Sequence, residues 1–161
     1  MASLALSAGL APPHIDALTT AQAVDTAVHN HERRTGVPVA HTIDLPADVS
    51  LHVKTCLYRF VQEGLNNTFR HAKGSAVSVM ASSSHGTLTV EVADSGPGLA
   101  TPTRTPQTSK AAGLPASGLG LAGLKDRIEA LGGTLEIASV PGHGTRLTAR
   151  LAHVSERGLL Q

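Results

Sequence analysis

The alternation of apolar and polar residues divides the chain into helices and strands. Apolar residues recur at helical spacing in three stretches, which predicts helices over residues 17–34, 51–72 and 121–131. A period of two predicts five strands, at residues 37–43, 76–82, 87–94, 134–139 and 145–151. Residues 99–117 follow neither period and are crowded with Thr, Pro, Ala and Ser, so we expect them to form a mobile flap.

Length and composition limit the class of protein. The 161 residues suffice for one domain with a buried core, and 41% hydrophobic with 16% charged residues is typical of a soluble globular chain. A net charge of +1 and only 2% aromatic residues argue against nucleic acid as the main partner. No apolar run approaches the roughly 20 residues needed to cross a bilayer. The single cysteine, Cys56, fits a reducing cytoplasm.

One edge of the second predicted helix carries candidate chemistry. At helical spacing an apolar arc faces the sheet, formed by Val53, Leu57, Val61, Gly64 and Thr68. Glu63 and Asn67 lie four residues apart at the margin of this arc, whereas Asn66 lies well away from it. A carboxylate and an amide oxygen can hold Mg²⁺, and the carboxylate can instead accept a proton. A solvated helix edge with a local hydrogen bond explains the same spacing equally well.

Two glycine clusters follow that helix. Asp94 ends a predicted strand and precedes Ser95-Gly96-Pro97-Gly98, where a carboxylate can accept a hydrogen bond from an exocyclic amine and glycines admit a flat base. A simple turn has the same composition. Gly118, Gly120 and Gly123 precede the third predicted helix, whose free N–H groups could receive phosphates. No strand stands directly before them and no Gly-Lys-Ser follows, so neither a dinucleotide fingerprint nor a P-loop is present. In this order the elements favour ATP as the ligand.

The same elements resemble the motifs of sensor histidine kinases. Glu63-x-x-x-Asn67 with His71-Ala72 resembles the N box, Asp94-x-Gly96-x-Gly98 the G1 box, and Gly118-x-Gly120-Leu121-x-Gly123 the G2 box. Gly142-x-Gly144-Thr145 resembles a G3-type turn, although it also reads as an ordinary hairpin turn. The similarity covers residues 24–151 and is strongest to kinases of the nitrate-sensor and desaturase-sensor type.

The resemblance implies a fold and roles for these residues. The fold is the α+β, Bergerat-type sandwich of the gyrase, Hsp90, histidine kinase and MutL superfamily, with a mixed five-stranded sheet packed on about three helices. At the positions that match the family's motifs, the resemblance implies that Asp94 binds the adenine amino group, Asn67 coordinates Mg²⁺ and Glu63 is the general base. Contacts to phosphate oxygens are implied for Arg70, His71 and Lys73. The remaining implied nucleotide contacts are Gly96, Gly98, Gly118, Leu119, Gly120, Leu121, Gly123 and Thr145.

The acceptor histidine of that family lies on a separate helical hairpin, and nothing in this chain matches its motif. Residues 1–16 resemble the end of that hairpin and its linker, which leaves residues 17–151 as the ATP-binding domain, 99–117 as its lid and 152–161 as a tail. The implied partners are the acceptor helices of the same kinase and a response regulator, with no membrane contact by this segment. Two alternatives stay open: a nucleotide-binding regulatory module without transfer, and a serine kinase of the anti-sigma-factor kind.

Overall fold

The computed structural model describes residues 14–47, 49–72, 75–96, 103–106 and 119–152. Within them, a turn of 3-10 helix at Ile15–Ala17 precedes three α-helices, which are α1 (Thr20–Thr35), α2 (Leu51–His71) and α3 (Leu119–Ala130). The strands are β1 (Ala40–Ile43), β2 (Val77–Ser84), β3 (Thr87–Asp94), β4 (Thr103–Pro106), β5 (Thr134–Val140) and β6 (Gly144–Ala152). No helix in these ranges is long and apolar enough to cross a membrane.

The strands form one mixed sheet in the order β1-β2-β3-β6-β5-β4. β1 runs parallel to β2, and every other neighbouring pair is antiparallel. Because side chains alternate along a strand, one face of the sheet carries the buried apolar row, which includes Val79, Val90, Leu135 and Ala149. The three helices contact this sheet, which confirms the predicted two-layer α+β sandwich.

Helix α2 lies at the centre of the helical layer and contacts both α1 and α3. The predicted apolar arc is buried along its whole length, from Val53 to Thr68, as expected from its spacing. Gly64 lies within this arc, and a Cβ at that position would stand only 3.1 Å from Cγ2 of Val92 on β3. The missing side chain therefore lets α2 approach the sheet closely at this point.

Local signals set the helix ends. The Ser50 hydroxyl accepts a hydrogen bond from the Val53 N–H at 3.3 Å and caps the start of α2. Helix α1 begins at Thr20, three residues later than predicted, because Thr19 and Gln22 form a reciprocal capping box. Ile15, expected in the linker, is buried in the core.

A sixth strand lies in the segment that we predicted to be irregular. Thr103–Pro106 pairs with β5 in antiparallel register at the outer edge of the sheet. A four-residue strand is too short to produce a readable alternation, and an edge strand tolerates a proline because one row of its N–H groups needs no partner. The rest of the predicted lid, residues 1–13 and the tail from 153 onward lie outside the described residues.

Candidate functional site

The last residue of β3 faces the helices. Alternation along the strand places Asp94 on the same side as the buried Val90 and Val92. In the sheet register, Asp94 lies opposite Thr145 of β6, and Thr145 lies opposite Ser139 of β5. A polar row therefore replaces the apolar core at this end of the sheet, beneath the C-terminal half of α2.

Three donors fix the Asp94 carboxylate. Its Oδ1 accepts hydrogen bonds from the main-chain N–H groups of Gly96, at 2.9 Å, and Thr145, at 3.3 Å. Its Oδ2 accepts from the hydroxyl of Thr68 on α2 at 3.4 Å. Each carboxylate oxygen can accept more than one hydrogen bond, so Oδ2 keeps capacity for an external amine. The helical spacing of Thr68 predicted only a place in the buried arc and gave no signal for this contact.

Two glycines allow the chain to close around Asp94. A Cβ at Gly96 would lie 2.5 Å from the Cβ of Ala72, which follows α2. Gly144 has a φ of +93° in the tight turn before β6, and a Cβ there would lie 2.0 Å from the main-chain oxygen of Asp94. No side chain fits at either position. The predicted hairpin turn is therefore confirmed, and it also packs against the end of β3.

The α2 edge carries a polar atom without a partner. Asn67 is half-buried, and its Oδ1 is shielded from solvent and makes no hydrogen bond. An orphaned amide oxygen in a native fold calls for an explanation, and a hard oxygen donor fits a Mg²⁺ ion. The neighbouring Asn66 differs, because its Oδ1 accepts from the Arg34 guanidinium of α1. The two asparagines thus face different surroundings, as the helical spacing predicted.

The other predicted residues of α2 continue this edge. Glu63 lies one turn before Asn67, is half-buried and joins no ion pair with the described residues. Arg70 and His71 are exposed in the last turn, close in sequence to the Asp94 partner Thr68. Lys73 lies outside the described residues.

The second glycine cluster is placed differently from the expectation. Gly98 and Gly118 lie outside the described residues, and α3 begins at Leu119, two residues earlier than predicted. Leu119, Gly120 and Leu121 therefore belong to the first turn, whose N–H groups have no acceptor within the helix. Gly123 is the fifth helical residue and does not precede the helix, so its N–H donates a hydrogen bond within the helix.

Two polar atoms that sequence reasoning missed also lie on α2. The Nε of Arg59 and the Oε1 of Gln62 are both shielded from solvent without a hydrogen-bond partner. Arg59 precedes Glu63 by four residues, so the spacing that selected Glu63 and Asn67 would have found it if the pattern had been extended by one turn.

Comparisons with known proteins identify a family for this chain. The family model "Histidine kinase-, DNA gyrase B-, and HSP90-like ATPase" matches residues 52–155. The histidine-protein kinase/phosphatase UhpB of Salmonella typhimurium is 35% identical over 145 residues, which cover 88% of this chain and 26% of UhpB. The sensor histidine kinase LiaS of Bacillus subtilis is 35% identical over 103 residues, covering 64% of this chain and 26% of LiaS. The chain thus spans about a quarter of the length of these relatives.

Solved structures show the same fold. The ATP-binding domain of PrrB from Mycobacterium tuberculosis has a TM-score of 0.64 at 23% identity, over 86% of this chain and 96% of that one. The histidine kinase domain of a blue-light activated kinase from Erythrobacter litoralis has a TM-score of 0.67 at 20% identity, over 83% of this chain and 61% of that one. The chain therefore belongs to the histidine kinase-, DNA gyrase B- and HSP90-like ATPase family.

Proposed function

We propose that the chain is the ATP-binding catalytic domain of a sensor histidine kinase. It binds Mg·ATP and donates the γ-phosphate to a histidine on a dimerisation hairpin of the same kinase, for relay to a response regulator. The observation that carries the proposal is that two features occur together: the carboxylate of Asp94 is held in place by hydrogen bonds, and the Oδ1 of Asn67 on the adjacent helix has no partner. The 35% identity to two named histidine kinases supports the choice of reaction.

In this proposal, Asp94 receives the adenine amino group while its other lone pairs are held by main-chain donors. Gly96 and Gly144 let the backbone close tightly around Asp94, which keeps the carboxylate in place. Thr68 and Thr145 hold the carboxylate from opposite sides. Base recognition is thus built before the nucleotide arrives, which reduces the ordering cost of binding.

The phosphates lie toward α2 and α3. Asn67 supplies an amide oxygen to Mg²⁺, and the ion neutralises phosphate charge when it is bound. The first-turn N–H groups of α3, from Leu119, Gly120 and Leu121, donate to phosphate oxygens at the positive end of the helix. Arg70 and Lys73 add positive charge at the end of α2, and His71 offers a further contact to phosphate oxygens.

The transfer step requires an acceptor imidazole near Glu63. An imidazole nitrogen attacks the γ-phosphorus, the bond to the bridging oxygen breaks and ADP leaves with that oxygen. Glu63 takes the proton released from the imidazole. Most of the acceleration in phosphoryl transfer comes from positioning and charge stabilisation, which these residues supply on the donor side.

Two measurements test the proposal. Calorimetric titration should show ATP binding that depends on Mg²⁺, and mixing with a separately supplied acceptor hairpin and labelled ATP should produce phosphohistidine on the hairpin. Mg·ATP binding without transfer would favour a regulatory module, and transfer only to a serine-bearing partner would favour a serine kinase. Absence of Mg²⁺-dependent binding would refute the proposed function altogether.

A further inference from the structure

Arg59 stands on α2 four residues before the proposed base, Glu63, and this spacing places both side chains on one side of the helix. Arg59 is half-buried, and its Nε is shielded from solvent without an acceptor. The spacing would suit an Arg–Glu ion pair along the helix, yet none forms. The ion pairs found among the described residues use the carboxylates of Asp25, Glu91, Glu129 and Glu136.

A buried donor without an acceptor is unfavourable, and such groups in native folds are normally paired. Arg59 is not isolated in this respect, because the Oδ1 of Asn67 on the same edge also has no partner. One edge of α2 therefore carries an unpaired donor at one end and an unpaired acceptor two turns later. The donor suits the oxygen atoms of an anionic ligand, and the acceptor suits a cation bound to that ligand, so the arrangement points to a metal-bound anion along this edge.

The order of residues along α2 gives the direction of that ligand. The Asp94 carboxylate contacts Thr68 near the C-terminal end of the helix, so the purine lies at that end. Asn67, Glu63 and Arg59 then follow toward the N-terminus, and Arg59 lies about 13 Å from Thr68 along the axis at 1.5 Å per residue. Arg59 is thus at the transfer end, where phosphoryl and acceptor groups meet.

A second guanidinium group lies in the surroundings of Arg59. An open groove of about 400 Å³ between α2 and α3 begins one turn earlier, and its lining among the described residues includes His52, Cys56 and Arg127 but no Asp or Glu. Burial raises the pKa of the Cys56 thiol to about 11, while the positive charges of Arg127 and Arg59 act in the opposite direction. The two guanidinium groups therefore lie near the same thiol, one on each helix. Neither has an acidic partner among the described side chains.

We propose that Arg59 binds an anionic oxygen group at the transfer end of the nucleotide site. The proposal rests on the proposed function, since it assigns this group to the phosphoryl transfer itself. A planar guanidinium suits two sources with the same chemistry, the γ-phosphoryl oxygens of ATP and a carboxylate on the incoming acceptor segment. In either case the contact aligns donor and acceptor.

The test compares the wild-type chain with Arg59→Gln and Arg59→Lys, and uses Arg33→Gln as the matched control. Arg33 is an arginine of α1 whose guanidinium bonds to Asn30 at 2.5 Å. Affinities for Mg·ATP and Mg·ADP are measured by calorimetry, and the acceptor hairpin is titrated in a transfer assay. Thermal unfolding of each variant checks that it is folded.

If the γ-phosphoryl group is the ligand, Arg59→Gln lowers the affinity for Mg·ATP by about tenfold, the size of one charge-assisted hydrogen bond, and leaves Mg·ADP unchanged. If an acceptor carboxylate is the ligand, both nucleotide affinities stay unchanged and the KM for the hairpin rises by about tenfold. Arg59→Lys should recover part of either loss.

Two results would overturn the assignment of Arg59. One is an equal loss of affinity for Mg·ATP and Mg·ADP in Arg59→Gln. The other is that Arg59→Gln has the same hairpin KM and the same nucleotide affinities as Arg33→Gln. Those results would leave the proposed function intact, because wild-type binding and transfer are measured in the same experiment. Failure of the wild-type chain to bind Mg·ATP would instead remove the proposed function, and the Arg59 inference with it.

Discussion

At the scale of single residues, the candidate site depends on which polar atoms have partners. Asp94 was predictable as the end of a strand, but its three donors were not. Thr68 and Thr145 lie 26 and 51 residues away in the chain, and only the packing of α2 on the sheet and the pairing of β3 with β6 bring them together. Local patterns identify a residue type at a site, whereas its partners follow from the tertiary fold.

The two adjacent asparagines provide the first prediction. Asn67→Ala should lower the Mg²⁺-dependent affinity for ATP by at least about tenfold, because it removes the amide oxygen that we propose binds the ion. Asn66→Ala should leave that affinity nearly unchanged, because the Asn66 Oδ1 is already used by Arg34. Calorimetry with and without Mg²⁺ measures both. Equal losses in the two variants would contradict the assignment of the α2 edge.

His31 provides a prediction on pH. Burial, and next the positive charge of Arg34, lower the pKa of His31 from its ordinary value of 6.5. The unfolded chain therefore binds this proton more readily than the folded protein. The contribution of neutral His31 to the free energy of unfolding is therefore complete above pH 6.5 and decreases as the pH falls below that value.

Thermal midpoints at pH 7.5 and pH 5.5 measure this effect. On acidification, the thermal midpoint of the wild-type protein should fall further than that of His31→Gln, because the glutamine side chain does not titrate. His52→Gln, at an exposed position of α2, is measured beside it as the control for replacing a histidine by glutamine. An identical acid response in His31→Gln and the wild type would show that His31 does not contribute.

At the scale of elements, the periodic stretches were predictable and the short or aperiodic ones were not. Strand β3 has the predicted bounds, and α2 ends one residue earlier than predicted. The edge strand β4 was missed because four residues in a Thr- and Pro-rich segment give no reliable period. The predicted start of α3 was two residues late, because the helix begins at Leu119 and also includes Gly120.

Two glycines within helices should respond oppositely to the same substitution. A Cβ at Gly123 of α3 meets nothing within 4 Å, so Gly123→Ala should stabilise the protein by about 1 kcal/mol through helix propensity. A Cβ at Gly64 of α2 meets three atoms of the buried Val92 at 3.1 to 3.3 Å. Crowding there should cancel or exceed the gain in propensity.

Denaturant unfolding of both variants tests this contrast. The free energy of unfolding of Gly64→Ala should be lower than that of Gly123→Ala by at least about 1 kcal/mol. This difference is the contribution of helix propensity alone. Equal stabilisation in both would mean that α2 can move away from β3 without cost.

At the scale of the whole molecule, α2 connects the core to the site. One side of this helix is buried against the sheet, and its flanks contact α1 and α3. The helices and most of the strands were predictable from the mixture of periods, and the resemblance supplied both the two-layer sandwich and the superfamily. The sheet order β1-β2-β3-β6-β5-β4 was not predictable from local patterns, because it depends on pairings between segments far apart in the chain.

The buried cysteine on α2 reports on the integrity of this assembly. With its pKa raised to about 11, the Cys56 thiol is ionised in about one molecule per thousand at pH 8. A thiol reagent such as DTNB should therefore label the native protein far more slowly than a free thiol and rapidly once it unfolds. Mg·ATP should slow labelling further in moderate denaturant, since a ligand of the folded state reduces the unfolded population. Fast labelling of the native chain would contradict this placement.

The main-chain donors of Asp94 have a consequence for chemical inhibition. Two of the three groups that orient this carboxylate are amide hydrogens, at Gly96 and Thr145, and every residue except proline supplies the same amide. If a purine-mimicking compound binds Asp94, single substitutions that remove these main-chain donors should therefore seldom give resistance to it. Selection with such a compound should return changes at the periphery of the pocket more often than at Thr145.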